Sequence, residues 1–317
     1  MHRAEMLCAS ITTMEDVPLP LANSEEQVSV YPPCADAGRR MEAPAALRLW
    51  HLTSMDAPTV AVVWALAFAR AGGIRLPLWV SALQALGAWT VYVGDRLLDA
   101  RSGLRRGAGH TLRERHFFHW RNRYVLAPLA ACAAAAAATM IVFLMPIAIG
   151  ERNAVLGAAA LVYFSGVHAP GRRKWQPLPK ELLVGVLFTA GCALPTLTRL
   201  RMLGAGWTEL APLLGAAAVF AALAWLNCYA IEWWESDTCA GAIAPWKAAA
   251  VLAIVTLCLG VLLAWKGEVR TAVLMASAAA SAMLLAGLDK GRARLTPVAL
   301  RAAADLALLT PLGWLLR

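Results

Sequence analysis

Apolar stretches recur along the chain from Asp56 onward, and glycine, proline and charged residues separate them. A helix of about 20 apolar residues crosses the hydrocarbon core of a bilayer, and tilt or burial accommodates other lengths. The pattern therefore predicts nine membrane-spanning helices. They fall near residues 57–73, 76–95, 124–148, 153–169, 181–199, 209–231, 246–265, 269–288 and 297–316.

The first 45 residues do not follow this pattern. Residues 1–45 contain five prolines and no sustained hydrophobic period, and they lack the charged, apolar and small-residue order of a signal peptide. We expect this segment to be disordered and to carry no chemistry, with residues 46–317 forming the helical domain. An overextended start, with Met41 or Met55 as the first residue, is a second interpretation.

The composition favours lipid as the surrounding solvent. The 317 residues are 60% hydrophobic and 15% charged, whereas soluble domains average about 45–50% apolar and about 25% charged residues. These values predict an all-α membrane protein, and they exclude a disordered chain, a collagen and a disulfide-rich secreted module. The seven cysteines form no C-x-x-C pair, so they indicate neither a disulfide framework nor a metal site.

The basic residues predict the orientation in the membrane. The connections after the second, fourth, sixth and eighth predicted spans hold sixteen Lys and Arg residues, and the intervening connections hold six. Such an excess marks cytoplasmic loops. We therefore expect a multi-pass protein of the inner (cytoplasmic) membrane, with its N-terminus and these four connections in the cytoplasm. The net charge of +9 does not indicate a nucleic-acid partner, because no stripe of aromatic and basic residues lies outside the membrane.

Two acids end the second predicted span. Asp95 and Asp99 are four positions apart, so a helix places both carboxylates on one face, one turn apart. Like charges this close need a cation, and Mg²⁺ binds a few carboxylate oxygens while water and phosphate oxygens complete its shell. Neutralisation by Arg96 and Arg101 at the membrane surface is the alternative, and the spacing alone leaves both open.

A second acidic cluster ends the sixth predicted span. Glu232, Glu235 and Asp237 emerge where the helix macrodipole favours cations, so a bound cation would explain them. Asn227 lies deeper in the same span, where its amide needs a partner. A solvated polar border is the alternative interpretation. Both acidic clusters are predicted on the same side of the membrane, where carboxylates that chelate Mg²⁺ and nearby basic residues together form a diphosphate site.

Two other polar groups have structural interpretations beside functional ones. Asp305 lies about two turns into the ninth predicted span, where Arg301 can pair with it; a role in a cavity is the alternative. His116 and His119, with Glu114, would suit zinc. However, the arginines around them oppose metal binding and favour a helix on the membrane surface.

Nine spans with acidic clusters after the second and the sixth resemble the UbiA superfamily of intramembrane prenyltransferases, over about residues 50–317. In the first motif of that family, N-x-x-x-D-x-x-x-D, Asp95 and Asp99 match the two acids and Val91 stands in place of the asparagine. The cluster that begins at Glu232 resembles the second motif in position and charge.

A third element of the family, Y-x-x-x-K, is half present. Tyr163 matches the tyrosine and Val167 stands in place of the lysine, so Lys174 or Lys180 would have to substitute. The resemblance implies a helical bundle around a cavity that opens to the membrane. It also implies Mg²⁺ as cofactor, an isoprenoid diphosphate as donor and a lipophilic molecule as acceptor.

The expected function is Mg²⁺-dependent transfer of a prenyl group within the membrane. The expected catalytic and metal-binding residues are Asp95, Asp99, Glu232, Glu235 and Asp237. The expected substrate-binding residues are Gln84, Tyr92, Arg96, Tyr163, Lys174, Lys180 and Asn227. The alternative is a protein that retains the bundle without the chemistry and acts in lipid or isoprenoid binding or transport, as the apolar Val91 and Val167 would favour.

Overall fold

A computed structural model describes residues 40–105, 113–146, 180–235 and 243–317 of the chain. Within these ranges the protein is almost entirely helical, and no strand is present. A single bridge between Met41 and Leu295 ties the segment before the first helix to the end of a later one. The all-α fold class predicted from the sequence is confirmed for the described residues.

Eleven α-helices make up the described part of the chain. They are α1 (Ala45–Leu52), α2 (Asp56–Ala71), α3 (Leu78–Arg105), α4 (Glu114–Arg121), α5 (Arg123–Leu144), α6 (Lys180–Met202), α7 (Trp207–Glu235), α8 (Pro245–Trp265), α9 (Val269–Gly291), α10 (Pro297–Ala307) and α11 (Leu312–Leu315). A short 3₁₀ turn, Arg292–Arg294, joins α9 to the segment before α10.

Five of the described helices are long and apolar enough to cross a membrane: α5, α6, α7, α8 and α9. Helices α1 and α2 pass the same test together as one broken span, bent by 87°. The nine-span count is not confirmed. The fourth predicted span, 153–169, lies outside the described residues. The ninth, 297–316, is not one helix, because α10 ends at Ala307 and Pro311 precedes the short α11.

The core is centred on aromatic side chains of α2 and α7. The rings of Trp64 and Phe220 stack with their centroids 3.8 Å apart, and Phe68 meets Phe220 edge to face. All three side chains are almost completely buried. The indole Nε1 of Trp64 donates a hydrogen bond to the carbonyl of Leu308, 2.8 Å away, which ties α2 to the segment after α10.

Large apolar side chains cover the outer faces of α5 and α8. Val142 and Phe143 on α5 are 72% and 79% exposed, and Ile254 and Val261 on α8 are 62% and 64% exposed. Contiguous apolar surface of this extent is unfavourable in water and suits a lipid environment. These helices support the membrane-protein class that composition predicted.

Candidate functional site

Three ionisable side chains meet inside the bundle: His51 at the end of α1, Asp56 at the start of α2 and Asp305 near the end of α10. His51 Nδ1 lies 2.8 Å from Asp56 Oδ2 and 3.4 Å from Asp305 Oδ2. The side chains of His51 and Asp56 are only 3% and 2% exposed, and that of Asp305 is 18% exposed. We call these three residues the His51 cluster.

The turn between α1 and α2 brings the first two members together. Its second residue, Ser54, has φ of 61°, in the left-handed region that reverses the chain tightly. The 87° bend between the two helices then sets His51 beside the first residue of α2. The hydroxyl of Ser54 is 3.0 Å from His119 Nε2, so this turn is also fastened to α4.

Both carboxylates of the cluster have one oxygen fixed by an N–H donor. Asp56 Oδ1 accepts a hydrogen bond from the backbone N–H of Ala57 at 2.9 Å. Asp305 Oδ1 accepts one from Asn227 Nδ2 at 3.1 Å. The two remaining oxygens, both Oδ2, therefore converge on His51 Nδ1.

Three residues predicted from the sequence to bind substrate surround this cluster. Arg96 Nη2 lies 3.3 Å from Asp56 Oδ2, and its Nη1 donates to the backbone carbonyl of His51 at 2.9 Å. The guanidinium also stands 5.8 Å from the centre of the Tyr92 ring. Asn227 and Tyr92 line a cavity of about 30 Å³ that Asp56 and Asp305 also line. The structure thus gathers Tyr92, Arg96 and Asn227 into one buried polar region.

The acids at the end of α7 are paired with arginines. Glu235 Oε2 lies 2.6 Å from Arg113 Nη1, and Glu235 Oε1 forms an ion pair with Arg301 of α10. Glu232 Oε2 lies 3.8 Å from Arg113 Nη2. Arginine side chains therefore supply at least part of the positive charge that the C-terminal end of α7 requires. The role of these glutamates as metal ligands stays a prediction.

Asp95 and Asp99 lie on α3 one turn apart, as predicted, and both are half-buried. Each of them already interacts with another group. Gln84, on the same helix, donates a hydrogen bond from Nε2 to the carbonyl of Gly191, so it joins α3 to α6. Hydrogen bonds from side-chain amides commonly join neighbouring membrane helices in this way.

Several residues predicted at the site cannot be placed. Tyr163, Lys174 and Asp237 lie outside the described residues, and of Lys180 only the backbone is described, as the first residue of α6. Their predicted roles therefore remain predictions.

The histidines of α4 are held neutral by their surroundings. Burial, assisted by the nearby Arg96 and Arg115 charges, lowers the pKa of His119 to about 4, although its hydrogen bond to the Arg115 carbonyl opposes the shift. Burial and the adjacent guanidinium of Arg115 lower the pKa of His116 to about 3. The Arg115 Nε donates to His116 Nε2 at 3.1 Å. The expectation that the two histidines do not form a zinc site stays a prediction.

Sequence reasoning missed two of the three cluster members. Asp56 was expected only as a helix start, and His51 was not considered. The expected pair of Arg301 with Asp305 is wrong: within the described part of the chain Arg301 pairs with Glu235, and Asp305 faces His51 and Asn227. The one available signal was that a histidine and an aspartate flank the start of an apolar span, where ionisable groups are costly.

Comparison of the sequence with known protein families and with curated proteins finds no match, and comparison of the structure with solved structures finds none either. The fold and the site define a helical protein with several helices apolar enough to span a membrane and a buried polar cluster formed by α1, α2 and α10. The resemblance to intramembrane prenyltransferases remains a hypothesis that depends on the residues themselves.

Proposed function

We propose that this protein transfers a prenyl group from an isoprenoid diphosphate to a lipophilic acceptor within the membrane, with Mg²⁺ as cofactor. The observation that supports this proposal best is the gathering of charged groups from several helices. Arg113, just before α4, reaches both Glu232 and Glu235 at the end of α7. From α3, Arg96, the neighbour of Asp95, connects through the His51 cluster to Asn227 of α7. Acidic and basic side chains thus lie close together, and the partly exposed Arg113 is the one among them that a diphosphate could contact.

The residues that suit Mg²⁺ are Asp95 and Asp99. Mg²⁺ is commonly bound through one or two carboxylates plus the phosphate oxygens of the substrate. Two half-buried carboxylates one helical turn apart on α3 fit that requirement. Glu235 fits less well, because two guanidinium groups already contact it. When bound, Mg²⁺ would neutralise negative charge on the leaving diphosphate.

The side chains around these acids would bind and orient the substrate. Arg113 is 39% exposed, so its guanidinium can contact phosphate oxygens while it holds Glu235. The apolar faces of the long helices would hold the isoprenoid chain, since the bilayer surrounds them with a solvent of the same polarity. In this proposal the charged end faces the cytoplasm, because the arginine-rich connection 96–123 lies there.

Binding of a lipid or isoprenoid without chemistry is the second candidate. One observation favours it: Glu235 is engaged by Arg113 and Arg301, which makes it a poorer metal ligand. The cavity beside Asp305, of about 30 Å³, is small for the substrate of either candidate. Drug-sized ligands occupy pockets of about 300–1,000 Å³, so an isoprenoid would require a wider opening than this cavity provides.

Membranes that contain the protein are incubated with radiolabelled geranyl, farnesyl and geranylgeranyl diphosphates, with Mg²⁺ or with EDTA. We expect Mg²⁺-dependent formation of a labelled lipid. Asp95→Asn and Asp99→Asn are expected to abolish it, because each removes a metal-binding charge without changing side-chain size. Glu209→Gln, at the opposite end of α7, is the control and is expected to retain activity. Substrate binding without product would favour the second candidate. No binding by the folded protein would contradict both.

A further inference from the structure

We propose that His51, Asp56 and Asp305 bind a divalent transition-metal ion of the Zn²⁺ type. This site is separate from the predicted Mg²⁺ site at Asp95 and Asp99. It uses different residues and different ligand chemistry, and it does not depend on prenyl transfer.

The distances between the three side chains fit ligands of a single ion. Ligand atoms that each lie about 2.0–2.2 Å from a metal, at angles of about 90–110°, are about 2.8–3.6 Å apart. His51 Nδ1 is 2.8 Å from Asp56 Oδ2 and 3.4 Å from Asp305 Oδ2. One ligand atom from each residue lies within 4.8 Å of both others.

The orientation of the imidazole supports the same conclusion. Although His51 Nδ1 is close to Asp56 Oδ2, these atoms are not aligned as hydrogen-bond donor and acceptor, and Nδ1 is buried without a hydrogen-bond partner among the described residues. In the tautomer that carries no hydrogen on Nδ1, the Nδ1 lone pair points in the direction that the N–H bond takes in the other tautomer. A metal ion bound to this lone pair would therefore lie to one side of the line from His51 Nδ1 to Asp56 Oδ2.

A second orphaned atom lies next to the cluster. Asn227 is 6% exposed, and its Oδ1 has no hydrogen-bond partner within the part of the chain that the structure describes. A buried acceptor without a donor is costly, typically by about 1–3 kcal/mol. Asn227 lines the cavity of about 30 Å³ together with Asp56 and Asp305. His51 is not among the residues that line this cavity, so the cavity borders the cluster on the side of the carboxylates. Its volume suits a water that the amide oxygen could bind.

Neighbouring groups hold both carboxylates in place, as they do around metal sites in proteins. The second oxygen of each carboxylate is fixed, by Ala57 N–H for Asp56 and by Asn227 Nδ2 for Asp305. Arg96 Nη2 donates a hydrogen bond to Asp56 Oδ2, 3.3 Å away. Hydrogen bonds of this kind orient metal-binding carboxylates in proteins.

The ligand set selects the type of ion. One imidazole nitrogen with carboxylate oxygens suits zinc and its neighbours among the transition metals, whereas Mg²⁺ prefers oxygen ligands alone. With a neutral imidazole, two carboxylates and one guanidinium leave a negative charge inside the protein. A proton on His51 would bring this charge to zero, and a divalent ion would bring it to +1, so either would remove the excess of negative charge. The experiment must therefore distinguish a bound metal from a protonated histidine.

The full chain is purified in detergent with an affinity tag that contains no histidine, dialysed against Zn²⁺ and then against metal-free buffer, and its zinc content is measured. We expect about one Zn²⁺ per chain, not displaced by excess Mg²⁺. His51→Gln and Asp305→Asn are expected to lower zinc affinity at least about tenfold. Asp289→Asn is the matched control, since Asp289 is another buried carboxylate, bound instead to Trp234 and Trp246.

A measurement on the wild-type protein keeps the test decisive if the variants do not fold. X-ray absorption of the zinc-loaded protein should show nitrogen and oxygen ligands, one imidazole and no sulfur. Wild-type protein that retains no zinc would overturn the proposal and would leave a protonated His51 as the explanation of the cluster. Sulfur ligands, equal zinc in the variants, or displacement by Mg²⁺ would overturn it as well.

Discussion

The ion pair between Glu235 and Arg301 is a sensitive point of the fold, because it joins the end of α7 to α10 inside the protein. The two side chains are 9% and 6% exposed. Removing one partner of a buried pair costs about 3–5 kcal/mol, since the other charge remains buried and uncompensated. In Arg301→Met, Glu235 would still contact Arg113, which is 39% exposed. We therefore expect Arg301→Met to lower the free energy of unfolding by about 2–3 kcal/mol, at the lower end of that range or just below it.

A second substitution tests whether the loss comes from the unpaired charge. Glu235→Gln in the Arg301→Met background removes that charge and should restore most of the stability. Replacing both members of a buried pair with uncharged groups is often neutral. The coupling energy between the two substitutions is expected to be about 1–3 kcal/mol, the range measured for residues in direct contact.

The assay is thermal unfolding in detergent, followed by tryptophan fluorescence for the wild type, both single variants and the double variant. A loss of this size corresponds to a fall in Tm on the order of 5–10 °C. Strictly additive effects, or an Arg301→Met variant as stable as the wild type, would refute the argument. The same four proteins test the predicted metal role of Glu235: if that role is real, the double variant regains stability but not Mg²⁺-dependent substrate binding.

Two further predictions concern packing and pH. Gly185→Ala should destabilise the protein by about 1–3 kcal/mol, because a Cβ atom there would lie 2.8 Å from the backbone nitrogen of Trp225. The effect is measured as a fall in Tm, and Gly287→Ala, with open space around the added Cβ, is the control. The pKa of His119 is about 4 in the folded protein and about 6.5 when unfolded, so the unfolded state binds more protons between these values. Stability should therefore fall as pH decreases from about 6.5 to about 4, and His119→Gln should reduce this dependence in Tm measured against pH; an unchanged slope would contradict it.

Hydropathy predicted where helices lie better than where they end. The second predicted span, 76–95, corresponds to α3, yet α3 continues to Arg105. The sixth, 209–231, corresponds to α7, which continues to Glu235. An apolar pattern reports the part of a helix that contacts lipid or the core. A helix can extend beyond that part where good helix formers follow it, as Arg96, Leu97 and Leu98 do after Asp95, and the apolar pattern does not report this extension.

The site was predictable only in part, because its partners are distant in the sequence. Tyr92, Arg96 and Asn227 were named from the sequence as substrate-binding residues, a role that stays a prediction; for Asn227 the reason was that an amide within an apolar span needs a partner. His51 and Asp56 did not enter the predicted site, because the turn at Ser54 sets them beside each other and Asp305 reaches them from the distant α10. Local spacing also favoured a wrong pair. Arg301 and Asp305 are four positions apart, yet the packing of α10 against its neighbours gives each of them a different partner.

The contacts of Arg96 divide the predicted diphosphate-binding residues into two groups. Its guanidinium is already occupied by Asp56 and by the His51 carbonyl, and the side chain is almost completely buried. A buried arginine that left these partners would leave a carboxylate uncompensated, so Arg96 is better suited to hold the His51 cluster than to contact a substrate. Arg113 has the opposite properties, since it is partly exposed and sits at the end of α7. A diphosphate bound near the end of α7 would therefore contact Arg113, while Arg96 keeps α1, α2 and α3 together.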